Sequence, residues 1–392
     1  MVRGIKMSTH LKYDQKNVRK YHYFLLLSLI QKHKQISRSQ LAELTRMSNT
    51  TVGKIVKELI NDRLVIEVGQ EKGEIGRKAT ILELNPEGAY IIGVEIDLTS
   101  VQIAFVSLNG KVIKKRQFVF DIKGHPEIIL DKVANEISIL LTEIGTIHAD
   151  KVIAIGLSMP GLVTWPEGEV LMVPQFHWNE VKIKEYLENK LDYVVYVDNH
   201  VRSILLAESL FGTIKKYKNT VCIYIGSGVG GAVMINGEIS RGACNTLGEI
   251  GHITMDPNGP LCDCGRLGCL QTFISASELE KNAQASIEDI FQAYEDGEEW
   301  SQKLINRAKA YLGITISNVI CMYNPEVVLL AGPLIEDYPV LIKDIEQITN
   351  SQTWNALRET YKLAHSTIGK DSGVIGASAL VLNEFLRQSV NN

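Results

Sequence analysis

The sequence predicts an α/β protein in two parts: a small basic helical head, then a larger α/β body with a metal-stapled loop. The chain of 392 residues exceeds what one ordinary core organises, so two or three domains are expected. Near Ala89 the hydrophobic pattern changes from helical spacing to short β-rich runs alternating with helices. The charge changes too. Residues 1–80 hold 16 Lys and Arg against 7 Asp and Glu, a net of +9, so in a chain of net −4 the remainder carries −13. A basic head on an acidic body points to the head alone meeting a polyanion.

The head is read first. Val18–His33 reads as a helix, with Leu25, Leu26, Leu29 and Ile30 at helical spacing. Ser37 is an N-cap, with Gln40 completing a capping box, and the helix Arg38–Thr45 that follows is expected to bury Leu41 and Leu44. After the turn Arg46-Met47-Ser48, a second helix runs from about Asn49 to Ile60. It has an apolar stripe of Val52, Ile55, Val56 and Leu59, and Thr50, Lys54 and Lys57 on the opposite face. This is a helix-turn-helix whose outer face, drawn from Ser48, Asn49, Thr50, Thr51, Lys54 and Lys57, suits base edges and phosphates of double-stranded DNA. A helical hairpin with a solvated lysine face would show the same pattern. Leu64–Val68 and a returning segment resemble the wing of a winged helix.

The body follows. Tyr90–Asp97, Val101–Leu108 and Val112–Phe120 read as strands, Pro126–Ile144 as a helix, and Val152–Met159 and Val194–Asp198 as further strands before a helix Arg202–Phe211. A second lobe starts near Thr220, with strands Thr220–Ile225, Gly231–Ile235 and Val327–Ala331 and helices around Ser301–Met322. A last helix is expected at about Ser372–Leu386. The alternation itself shows only α/β.

Within the second lobe, His252, Cys262, Cys264 and Cys269 follow the pattern H-x9-C-x-C-x4-C. That places three of the chain's six cysteines within eight residues. Three thiolates and an imidazole complete a tetrahedral set for zinc with no position left for a reacting water, so the ion would be structural. A reduced loop or a disulfide is the other reading of the same thiols. Gly259, Gly265 and Gly268 let the backbone turn tightly enough for the sulfurs to converge. Cys222, Cys244 and Cys321 lie scattered among apolar neighbours, a usage that fits a reducing cytoplasm. Phe24–Ile30, broken by Ser28, is too short to cross a bilayer, and Met1–Lys20 has no apolar stretch of a signal peptide, so no membrane association is expected. Upstream of the thiols, Glu249 stands three residues before His252, and a carboxylate fixed there can accept hydrogen bonds from vicinal hydroxyls.

On these residues the chain resembles the ROK family, which groups sugar kinases with sugar-responsive repressors. The family's E-x-G-H element matches Glu249–His252, and its C-x-C-G-x-x-G-C-x-E element matches Cys262–Gln271 except at the last position. The resemblance covers roughly residues 20 to 385. It implies a two-lobed actin/hexokinase-like body and dimerisation through that body. The expected organisation is a winged helix-turn-helix over 1–72 and a linker over 73–88. A first lobe would span 89–200 plus 372–392, and a second lobe with the zinc loop 201–371. Gly73–Lys78 resembles the family's G-G-R-P linker, with Arg77 a minor-groove probe and Lys78 in place of the proline. Arg77 and Lys78 thus join the DNA-binding set.

The resemblance also marks what a kinase would need. Where such kinases carry an aspartate base after an asparagine, this chain has Asp198-Asn199-His200, with His200 in the aspartate's place. The phosphate turn, glycine-glycine-threonine in the kinases, is Asp97-Leu98-Thr99. The later glycine pair is Ala331-Gly332-Pro333, and only Gly226–Gly231 survives. Neither catalysis nor ATP binding is expected. The sugar-side positions are Pro160, Gly161, Asn199, His200, Glu249, His252 and Gln271, where Gln271 replaces a glutamate and Gln175 an asparagine. Two lost carboxylates imply a specificity other than glucose, or a pocket that binds nothing. The leading reading is a dimeric DNA-binding repressor of the xylose-repressor branch, tuned by a small carbohydrate. A regulator acting mainly through protein partners is the second reading, and a sugar kinase with a fused DNA reader the remote third.

Overall fold

The computed structural model describes residues 15–70, 80–121 and 124–387. The chain divides into two units, residues 1–89 with 382–392, and residues 90–381.

In the first unit, helices run over Gln15–His33, Arg38–Thr45 and Asn49–Asn61. The Ser37 hydroxyl accepts the Gln40 N–H, and the Gln40 side chain accepts the Ser37 N–H at 2.8 Å. This is the predicted capping box, worth about 1 kcal/mol. Arg46, at φ +56°, ends the second helix, and Ser48 caps the third. Leu26, Leu27, Ile30, Leu41, Val52, Val56, Leu59 and Leu82 are fully withdrawn from solvent. Each such aliphatic contributes roughly 1.5–3 kcal/mol.

Two expectations for this core need correcting. Leu44 is 54% exposed, and Ala42 is buried beside Leu41 instead. In the first helix Phe24, Leu26, Leu27 and Ile30 are buried, whereas Leu25 and Leu29 are only half-buried. Phe24–Ile30 is apolar on nearly every side, so periodicity cannot choose its face. The Phe24 ring settles on the edge of Phe385, 5.6 Å away.

The wing is present. Val65–Gln70 pairs antiparallel with Thr80–Leu84, whose other edge takes the short strand Ile36–Ser37. Thr80–Leu84 therefore belongs to the winged sheet, although it falls within the stretch 73–88 read as linker. Gly73–Lys78, with Arg77 and Lys78, lies outside the described residues.

The second unit repeats one sheet plan twice. The first sheet has the order Val195–Asn199, Val152–Met159, Tyr90–Ile96, Ser100–Ser107, Val112–Val119; the last three form an antiparallel meander and the other two add in parallel. The second has a meander of Glu238–Ser240, Val229–Ile235 and Thr220–Ile225, then Val327–Ala331 and Lys362–His365 in parallel. The helix that follows each sheet's last strand packs on the other sheet. His200–Leu210 leaves the first sheet and lays Val201, Ile204 and Leu205 in one cluster with Cys222, Ala232 and Met234 of the second. Ser372–Arg387 leaves the second sheet and presses on the first. A Cβ on Gly93 would stand 2.2 Å from the Val374 carbonyl, and one on Gly156 1.9 Å from that of Ala377. A backbone approach this close needs glycine. Several elements went unread in the sequence, among them the small sheet of Leu162–Val163, Val170–Val173 and Trp178–Val181 and the helix Ile183–Leu191.

Candidate reading face, metal cluster and effector cleft

On the third helix of the head, Asn49, Thr50, Lys54 and Lys57 are exposed, opposite the buried Val52, Ile55, Val56 and Leu59. Ser48 and Thr51 are engaged locally: the Ser48 hydroxyl accepts the Thr51 N–H at 3.1 Å and hydrogen-bonds its side chain at 2.8 Å. Lys54 and Lys57 form no ion pair among the described residues. Their side chains are exposed.

In the body, the ligand atoms of His252, Cys262, Cys264 and Cys269 all lie within 4.8 Å of one another. Cys264 and Cys269 sulfurs are 3.5 Å apart, and the Cys262 sulfur is 3.5 Å from His252 Nδ1. Thiolates at about 2.3 Å from a tetrahedral zinc stand about 3.8 Å from each other, so the four donors fit a metal ion with little movement. The loop geometry explains the convergence. Gly265 and Gly268 take φ of +84° and +66°, and Thr254 bridges Cys269. Of the scattered cysteines, Cys222 is buried, but Cys244 and Cys321 are exposed, contrary to the apolar surroundings expected for all three.

His252 ends a single helical turn, Ile250–His252, that begins at Glu249, so a metal on the imidazole fixes the backbone carrying the carboxylate. The preceding loop is held at two further points. Arg202, itself 2% exposed, donates to the Asn245 carbonyl. Arg241 crosses from the second lobe to Asp198, at the end of a first-lobe strand, at 2.6 Å. Asp198 is fully buried and also receives Arg202 at 3.0 Å and the Asn199 N–H at 2.7 Å. The Arg241 guanidinium lies 4.3 Å from the centre of the Trp165 ring, which stacks in turn near Tyr196. The Glu249 side chain is exposed, yet desolvation raises its carboxyl above the ordinary range, with Arg202 opposing the shift.

The other expected sugar positions divide. Asn199 caps the helix His200–Leu210 by accepting from Val201 and Arg202, and donates to the Gly161 carbonyl at 3.0 Å. It thereby ties the Pro160-Gly161 turn to the helix start, with one N–H to spare. Gln271 opens a short helix two residues past Cys269 and is half-buried. Gln175 is exposed, while Trp178 is buried.

His200 turns away from a hydroxyl-binding role. Its Nδ1 is 3.4 Å from a carboxylate oxygen of Glu95, and its ring meets Tyr224 edge-on at 5.1 Å. Burial, with Asp97 and Asp371 nearby, pushes the Glu95 carboxyl up to about 8, while burial lowers His200. Burial thus disfavours the charged form of each partner. A side chain paired in this way fills the place of a kinase's base. Asp97-Leu98-Thr99 closes a tight turn, Asp97 N–H to Ser100 carbonyl at 2.9 Å, with Leu98 packed on the first core.

Glu95, Asp198, Arg202, Arg241 and Trp165 were missed in the sequence. Only Asp198 and Arg202 carried a signal, their spacing of four across a strand end and a helix start.

A model described as the ROK family matches residues 91–384, and one described as winged helix-turn-helix DNA-binding matches residues 24–66. The xylose repressor of Bacillus spizizenii is 29% identical over 378 residues, covering 95% of this chain and 98% of its own. The DNA-binding transcriptional dual regulator NagC of Escherichia coli strain K12 is 28% identical over 376 residues, covering 91% of each. A crystal structure of a ROK family transcriptional regulator, a homologue of the E. coli MLC protein, superposes with a TM-score of 0.81 at 27% identity, over 94% of this chain and 97% of that one. A ROK glucokinase from Streptomyces griseus, with glucose and AMPPNP, shares the body's fold at TM-score 0.64 and 20% identity, over 74% and 99%. No helix among the described residues is long and apolar enough to cross a membrane. The chain therefore belongs to the ROK family and, by its winged helix-turn-helix head, to the DNA-binding regulators within it.

Proposed function

We propose that this chain is a dimeric repressor whose DNA affinity falls when a neutral carbohydrate binds in the body's cleft. The observation that carries the reading is the mounting of Glu249. Its backbone is fixed on one side by the metal cluster through His252 and on the other by Arg202 on the Asn245 carbonyl. Asn199, which donates to the Gly161 carbonyl, keeps a second N–H to offer. Zinc suits three thiolates and an imidazole, and in a closed set it supplies structural rigidity alone.

The sugar's vicinal hydroxyls donate to Glu249, and Asn199, Gln271 and the turn complete the contacts. Relatives named xylose repressor and N-acetylglucosamine repressor make pentoses and amino sugars the first candidates. The chain does not phosphorylate its ligand. His200 is spent on Glu95, and Asp97 and Leu98 occupy the turn a triphosphate would need.

Arg241 on Asp198 and Trp165 joins the lobes, and Arg202 on the same Asp198 acts on Glu249, so sugar binding and lobe angle are linked through one charge network. A ligand shifts such an equilibrium only by its differential affinity for the two states, and a tenfold change in DNA affinity requires about 1.4 kcal/mol.

Calorimetry of the full chain against pentoses, hexoses and amino sugars, with and without ATP, tests this reading. It expects one sugar class to bind without ATP consumption. Binding of none, or turnover of ATP, contradicts it.

A further inference from the structure

We infer that Gly53 is a specificity-determining position of the reading helix, a gap that lets the helix backbone come against a base or deoxyribose in the major groove. This rests on the assignment of the head as a DNA reader.

Gly53 is the fifth residue of the helix Asn49–Asn61, well inside both caps. Glycine in a helix interior lowers stability relative to alanine, so it needs a reason. Other glycines of this chain have one. Gly93 and Gly156 admit a crossing helix, and Gly268 carries a positive φ. Gly53 has no positive φ, and a Cβ built on it meets nothing within 4 Å. Neither conformation nor packing among the described residues demands it.

Its place on the helix supplies the reason. Residues three and four apart adjoin on a helix surface. Gly53 is therefore bordered by Asn49, Thr50 and Lys57, all exposed, and borders the buried stripe on its other side. The N-terminal half of such a helix meets base edges, while lysines farther along meet phosphates. A missing side chain between the two sets allows Asn49 and Thr50 to reach the groove floor. A methyl group there holds the helix off, and short side chains such as asparagine and threonine lose their bases first. Long lysines keep their phosphates, so the loss falls on sequence-specific contacts.

The experiment uses the full-length protein. Wild type selects duplexes from a randomised pool, and affinities for the selected duplex and a scrambled one are then measured at one salt concentration. In Gly53→Ala, amide exchange over residues 49–61 should slow about fivefold, the exchange equivalent of alanine's helix preference. Affinity for the selected duplex should fall at least tenfold, and that for the scrambled duplex by less than twofold. Gly53→Ser should lose at least as much specificity. An unchanged ratio of the two affinities overturns the inference, whatever their absolute values. Faster exchange in both variants also overturns it, because the position would then be structural. If wild type selects no duplex, the DNA-reading assignment fails and the inference falls with it.

Discussion

Two glycines of the metal loop share a backbone conformation and differ in surroundings, which makes them a test of how the loop is built. Gly265 has φ +84° and nothing within 4 Å of an added Cβ. Gly268 has φ +66°, and its Cβ would stand 1.5 Å from the Asp256 carbonyl oxygen. Gly265→Ala should cost only the left-handed conformation, about 1–2 kcal/mol. Gly268→Ala carries the same strain and must also displace Asp256. That segment receives the Gly259 N–H at 2.9 Å, and the adjoining Met255 N–H donates to the Gly268 carbonyl at 2.7 Å. Overpacking adds about 1–3 kcal/mol and a lost backbone hydrogen bond about 1 kcal/mol. The total is then roughly 3–6 kcal/mol, concentrated where Cys262 and Cys269 must converge. Metal content per chain after brief chelator exposure, together with the thermal unfolding midpoint, reads both effects. Gly265→Ala should keep its metal with a slightly lower midpoint, and Gly268→Ala should lose it. Equal metal retention and equal midpoints would refute the convergence argument.

Further outcomes follow from the cleft and the head. Arg241→Ala removes the ion pair to buried Asp198 and the Trp165 contact, so it should destabilise the body by about 2–4 kcal/mol, measured by denaturant unfolding. A loss under about 0.5 kcal/mol would show the clamp to be incidental. Glu95 keeps its proton to about pH 8 in the fold but to 4.5 in the unfolded chain. Its contribution is therefore complete below the lower value and lost as pH rises through the upper one. Glu95→Gln should flatten that slope, with a gain at alkaline pH bounded at roughly 5 kcal/mol; a variant that tracks wild type across this range would contradict it. Leu41→Ala, at a fully buried site, should cost about 2–5 kcal/mol in the head, while Leu44→Ala should stay within about 0.5 kcal/mol by the same unfolding assay.

What the sequence disclosed depended on the range over which each signal acts. The capping box of Ser37 and Gln40, the stripe Val52–Leu59 and the convergence of His252, Cys262, Cys264 and Cys269 are local patterns, and they appear as read. The duplicated sheet plan was invisible, because strand order is decided by packing far apart in the chain. The wing's return strand Thr80–Leu84 was absorbed into a linker since five residues carry little periodic signal. In the cleft, Asp198 and Arg202 are four residues apart, but Arg241 and Trp165 join them only through the fold. His200 was legible as a lost base, yet its pairing with Glu95 required the first sheet to bring the two together.

The central claim is that Glu249 reads a carbohydrate and passes the result to the head. The direct measurement is the affinity of wild type and Glu249→Ala for a wild-type-selected DNA duplex, with and without each sugar of the calorimetric panel. One sugar should weaken wild-type binding about tenfold or more, a coupling of about 1.4 kcal/mol. Glu249→Ala should bind the duplex normally and ignore the sugar. A sugar response undiminished in Glu249→Ala, or no response to any sugar in wild type, would contradict it.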